Sequence, residues 1–90
     1  RLYCQVIQHN LHTQNWEIQS QVLRSAPLAL QRRVIRQLLQ ETIPKPPSFT
    51  QVEKLLALTD ASNGSQSDPY PGQWLARVEK PLILFGQFHT

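Results

Sequence analysis

A chain of 90 residues holds one small domain, or a part of a larger protein, with a modest core to bury. Its formal charge of +3, with 40% hydrophobic and 17% charged residues and a high share of Gln, permits a polyanionic partner without demanding one. Cys4 is the only cysteine, which excludes a disulfide framework and makes a reducing, cytoplasmic setting the natural expectation. No apolar run approaches the roughly 18 residues of a membrane span.

Because the chain opens at Arg1 and contains no Met, it is expected to be an excised piece of a larger protein, a single domain over residues 1–90. Residues 1–9 admit two readings. Leu2, Cys4 and Val6 alternate with Tyr3, Gln5 and Ile7 as in a strand, and a helix end fits as well. Asn10 to Asn15 is polar and turn-like, and Trp16-Glu17-Ile18 alternates like a short strand. Gln19 to Ser25 fits a single helical turn carrying Val22 and Leu23. Pro27 then suits the first turn of a new helix, where its missing N–H costs nothing.

The main helix is expected from about Pro27 to Glu41. Stepping about 100° per residue, Leu30, Val34, Ile35, Leu38 and Leu39 share half of the circle, with Gln31 the one polar intruder. Arg32, Arg33, Arg36, Gln37 and Gln40 take the other half. One helix thus offers an aliphatic face to a core and three guanidiniums to the outside. Pro44, Pro46 and Pro47 end it and stiffen the connector. Ser48 and Gln51 form a capping-box pattern for a second helix of about 49–59. It places Phe49, Val52, Leu55 and Leu56 on one face and Glu53 and Lys54 on the other.

Asp60 to Gln73 is rich in turn residues, with Pro71-Gly72 suited to the centre of a type II turn. Two apolar segments around Glu79-Lys80-Pro81 read as a β-hairpin, with Trp74, Ala76 and Val78 on one face and Leu75 and Arg77 on the other. The expected fold is α+β: two main helices (about 27–41 and 49–59) packed on a small antiparallel sheet with a C-terminal hairpin (about 74–78 and 82–86).

Reaction chemistry is sparse. The six acids are scattered without a general acid–base pair, and three glycines form no phosphate-cradling loop. Cys4 pairs on paper with His9 or His12, but a lone cysteine in a half-apolar segment more often packs in a core or at an edge. His9 and His12 have metal-ligand spacing without further ligands, His89 being next to the C-terminal residue, so neither a metal nor another cofactor is expected in this chain. The basic residues remain. Arg32, Arg33 and Arg36, with Arg24 upstream and Lys45 beyond, are the candidate nucleic-acid contacts, because guanidinium forks bind phosphates bidentately. A purely solvating arginine face is the structural alternative. Trp16, Tyr70, Trp74 and Phe85 could stack on bases, although tryptophans in so small a domain usually belong to the core. Two helices and a hairpin also describe a winged-helix DNA-binding domain, with 49–59 as a recognition helix poor in base-reading groups.

The segments "SQVLRSAPLALQRRVIRQLLQ" and "PPSFTQVEKLLALTDASNGSQSDPYPGQWLARVEKPLILF" together resemble the middle region of bacterial tRNA(Ile)-lysidine synthetases. The likeness runs from about Val22 to Phe85, and "APLALQRRVIRQ" with "SQSDPYPG" is similar to the cyanobacterial branch. It implies a parent ligase that uses ATP, with magnesium, to adenylate the wobble cytidine of an isoleucine tRNA with a CAU anticodon and then attaches lysine. It places that chemistry in an upstream ATP-pyrophosphatase domain with an S-G-G-x-D-S loop, which this chain lacks. The present domain would bind and position the tRNA without catalysing. One departure is Gln73 before Trp74, where relatives often have a second glycine.

Overall fold

The computed structural model describes residues 1–88. Helix α1 (Leu2–Val6) runs directly into strand β1 (Ile7–His9), so the first nine residues realise both readings open to the sequence. Strand β2 (Trp16–Gln19) and helix α2 (Ser20–Arg24) follow, then the long helix α3 (Leu28–Thr42), helix α4 (Phe49–Ala57) with a 3-10 turn over Leu58–Asp60, and strands β3 (Trp74–Glu79) and β4 (Leu82–Gln87). The sheet is antiparallel in the order β1–β2–β4–β3. The α+β fold expected from the sequence is the one observed. β3 and β4 turn on two residues, Lys80-Pro81, with Glu79 opposite Leu82, one residue tighter than the spacing suggested.

α3 begins where Pro27 leaves its carbonyl to Leu30 and Gln31 N–H, at 2.9 and 3.0 Å. It stops because Ile43 precedes Pro44 and takes an extended conformation (φ −78°, ψ 151°), as a residue before proline must. Val34, Ile35, Leu38 and Leu39 are buried, as are Val52, Leu55 and Leu56 of α4. They meet Ile18, Ala76, Val78, Ile83 and Phe85 of the sheet, with Val6 and Leu23 from the short helices. Each fully buried Leu, Ile or Phe contributes about 1.5–3 kcal/mol relative to exposure, which is what holds a domain of this size together. Among the described residues, no polar side chain is buried.

Several expectations fail in instructive ways. Leu30 is exposed, because the core-facing stripe of α3 starts one turn later, at Val34. Phe49 is also exposed. The connector buries Ile43 and Pro47 instead, and the first turn of α4 projects beyond the packed layer. Cys4 lies on the exposed side of α1, not in the core or packed at an edge. Trp16 and Trp74 are half-buried against the core rim, Trp74 stacking on Phe85 at 5.1 Å.

The stretch 61–73 is more ordered in its pairing than a polar loop. It runs beside β3, with Gly64 and Ser67 N–H donating to Val78 and Ala76 carbonyls at 2.8 Å each, and Val78 N–H returning to Ser65 at 2.8 Å. That covers the outer edge of β3, which would otherwise be an unpaired strand edge. The loop closes at Tyr70–Trp74 around Pro71, Gly72 and Gln73. Gly72 has φ 83°, and a Cβ there would sit 2.8 Å from Pro44 Cδ, so the connector and this turn touch only because the residue is glycine. No helix among the described residues is long and apolar enough to cross a membrane.

Candidate nucleic-acid interface

The solvent side of α3 does not present three equivalent guanidiniums. Arg32 donates from Nε to Glu53 Oε2 at 2.8 Å and from Nη2 to Oε1 at 3.3 Å, a two-pronged clamp from α3 to α4. The hydrogen bond from Arg32 holds the Glu53 carboxyl below the usual carboxylate range, and the same bond raises the guanidinium. The Arg32 guanidinium also lies over the Phe49 ring, 5.6 Å from its centroid. Arg36 donates from Nη1 to the Pro47 carbonyl at 3.4 Å, tying the same helix to the connector.

Arg33 points elsewhere. It is exposed and lines a cavity with Leu2, Tyr3, Leu30 and Gln37, on the side where α3 meets α1. There the Tyr3 hydroxyl donates to Glu41 Oε1 at 3.0 Å and Gln37 Nε2 to Glu41 Oε2 at 3.2 Å. Burial, then the Glu41 hydrogen bond, pushes the Tyr3 phenol well above its ordinary value. Gln31, the polar intruder on the apolar face, has a use: its Nε2 donates to the Ala26 carbonyl at 2.8 Å, pinning the turn before α3.

Arg24 and Lys45 complete the predicted set. Arg24 makes an exposed ion pair with Asp60 at 3.0 Å, and Lys45 is exposed in the connector. Among the described residues, no carboxylate lies within ion-pair distance of Arg33, Arg36 or Lys45. The predicted residues therefore do not form one face. Arg32, Arg36 and Lys45 gather around the connector and the start of α4, whereas Arg33 and Arg24 lie apart from it and from each other. Phe49 was missed as a surface residue, and only its place in the first helical turn, right after a proline connector, could have signalled it.

Nothing among the described residues assembles reaction chemistry. No group of three His, Cys, Asp or Glu could hold a metal ion. His9 stacks on Trp16 at 4.3 Å, and His89 lies outside the described residues. Gly72 packs on Pro44 and Gly86 on Asn15, and Gly64 stands in an open turn, so the glycines do not shape a nucleotide site.

The TilS substrate binding domain family matches residues 19–80, from the end of β2 to the turn after β3. The chain is 55% identical over 64 residues to a tRNA(Ile)-lysidine synthase of Nostoc sp., covering 71% of this chain and 19% of that protein. It is 39% identical over 73 residues to a tRNA(Ile)-lysidine synthase of Synechocystis sp., covering 81% and 22%. It is 47% identical over 64 residues to one of Synechococcus sp., covering 70% and 20%. The chain thus spans about a fifth of the length of the relatives it matches. No solved structure matches it.

Proposed function

The chain belongs to the TilS substrate binding domain family, and from that membership we propose that it is the tRNA-binding and positioning part of an ATP-dependent tRNA(Ile)-lysidine synthase. On this proposal the parent ligase attaches lysine to the wobble cytidine of an isoleucine tRNA with a CAU anticodon, in the cytoplasm. ATP and magnesium belong to a catalytic domain outside these residues, and this chain catalyses nothing by itself. The match over residues 19–80, which takes in both main helices and the first hairpin strand, carries the proposal. Exposed cations in a chain of net charge +3 give it a physical basis, since phosphate contacts supply most of the affinity of such a surface. None of the relatives supports the winged-helix DNA-binding alternative.

The test separates RNA binding from scaffolding. Arg32 and Arg36 hold α3 to α4 and the connector, so the informative variant neutralises Arg24, Arg33 and Lys45 to Gln. In the full-length protein this variant is expected to bind tRNA more weakly, with a salt dependence of log K shallower by about 0.7–0.9 for each phosphate no longer neutralised. Unchanged affinity and slope in a folded variant would remove these three residues from the interface.

A further inference from the structure

Phe49 is 61% exposed, on the outside of a domain whose other phenylalanine on α4 or the sheet, Phe85, is fully buried. A phenyl ring this exposed needs a reason. Its surroundings are cationic: the Arg32 guanidinium lies 5.6 Å above the ring centroid, and Arg36 reaches the Pro47 carbonyl two residues before it. Lys45 stands exposed in the connector that leads into it. Of these three cations, only Arg32 has a carboxylate partner among the described residues, Glu53. The ring and its neighbours are held in place. Ser48 and Gln51 close a capping box around the helix start, with Gln51 N–H donating to Ser48 Oγ at 3.1 Å and Ser48 N–H to Gln51 Oε1 at 2.8 Å. Proline fixes the backbone at Pro46 and Pro47.

A flat ring on a rigid backbone, bordered by guanidinium and ammonium groups, is the arrangement that single-stranded nucleic acid uses: cations track phosphates while a base stacks on the aromatic face. We propose that Phe49 is a stacking platform for an unpaired base of the bound RNA, with Arg36 and Lys45 holding the phosphates beside it. This rests on the tRNA-binding function proposed above and names the part of the RNA that this corner of the domain takes: a loop or single-stranded end. A paired helix would satisfy the cations but leave the ring without a partner, because its bases are already stacked.

Three RNA ligands, each titrated with wild type, Phe49→Ala and Phe49→Tyr, test this. They are an isoleucine tRNA transcript, a single-stranded oligonucleotide carrying 2-aminopurine, and a fully paired duplex of the same charge. Because the ring is exposed, the thermal melts of the variants should match wild type. Phe49→Ala is expected to weaken binding of the tRNA and the single strand by about tenfold or more, the usual cost of losing one base–aromatic stack. It should also abolish 2-aminopurine quenching and leave the duplex unaffected, while Phe49→Tyr should retain both affinity and quenching. If wild type binds tRNA and Phe49→Ala binds it and the single strand equally well, the stacking role falls while tRNA binding stands. An equal loss on the duplex also overturns it. If wild type binds none of the RNAs, the tRNA-binding function fails first and the stacking role with it.

Discussion

Tyr70→Phe probes how the loop beside β3 is locked to α4. Tyr70 is 6% exposed, packs edge-on against Phe85 at 5.6 Å and donates its hydroxyl to the Gln51 carbonyl at 3.4 Å. That bond is long, so losing it should cost under about 1 kcal/mol at neutral pH, while the ring keeps its packing. The larger effect is at alkaline pH. Burial, with a smaller contribution from the Asp68 carboxylate, pushes the Tyr70 phenol up to about 12. In the unfolded chain it titrates near 10. Below that value both states hold the proton, and the contribution is fully present. Above it the unfolded chain gives up the proton first, and stability falls until Tyr70 itself ionises in the folded state. A gap of two units corresponds to about 2–3 kcal/mol at most. Urea denaturation at intervals from pH 8 to pH 12 reads this out. Tyr70 is the one group that differs between the two proteins, so the quantity that matters is the difference between their curves. Relative to wild type, Tyr70→Phe should gain on the order of 2 kcal/mol across that window. Parallel curves would mean that Tyr70 is not buried as described and that the loop does not dock on α4.

Ser48→Ala removes one arm of the capping box seen around the start of α4. It should cost about 1 kcal/mol and lower the melting temperature by about 4–8 °C, with no change meaning that the proline connector fixes the helix start unaided. Gln73 holds φ 65°, in the left-handed region that favours glycine. Gln73→Gly should relieve strain of about 1 kcal/mol, less what glycine adds in unfolded freedom. A net rise in melting temperature of a few degrees is expected, and a fall would show that the Gln73 side chain has a role in the turn.

Periodicity reported the fold well where one face of an element meets the core along its whole length. α3 from Val34 onward and the alternation of Ala76 and Val78 in β3 are of this kind. It failed at Leu30 and Phe49, the first-turn residues of the two main helices, because a helical wheel has no knowledge of where the opposing layer ends. It was silent on the stretch 61–73, whose order comes from backbone pairing with β3 and from one buried tyrosine, neither of which has a period. The capping box was legible because it is local, with both bonds lying inside four residues. The Arg32–Glu53 clamp was not, because its partners are 21 residues apart and their angle across the helix pair depends on the proline connector.

That clamp changes what the basic face can mean. Counted on a wheel, Arg32, Arg33 and Arg36 form one electrostatic unit, and reversing all three looks like the natural test of tRNA binding. In the folded domain Arg32→Glu would set two carboxylates against each other where a bidentate pair now joins α3 to α4. Weaker RNA binding by such a variant would follow from a displaced α4 as readily as from removal of a phosphate ligand. The two roles are not exclusive: Arg32 both pairs with Glu53 and lies over the Phe49 ring, so the carboxylate that restrains the guanidinium also fixes the cation above the ring. A binding surface built this way depends on Glu53, an acidic residue, for its geometry. Glu53→Gln should therefore weaken binding of unpaired RNA despite removing a negative charge, the opposite of what electrostatic attraction predicts. Tighter binding by Glu53→Gln would show that charge outweighs orientation at this corner.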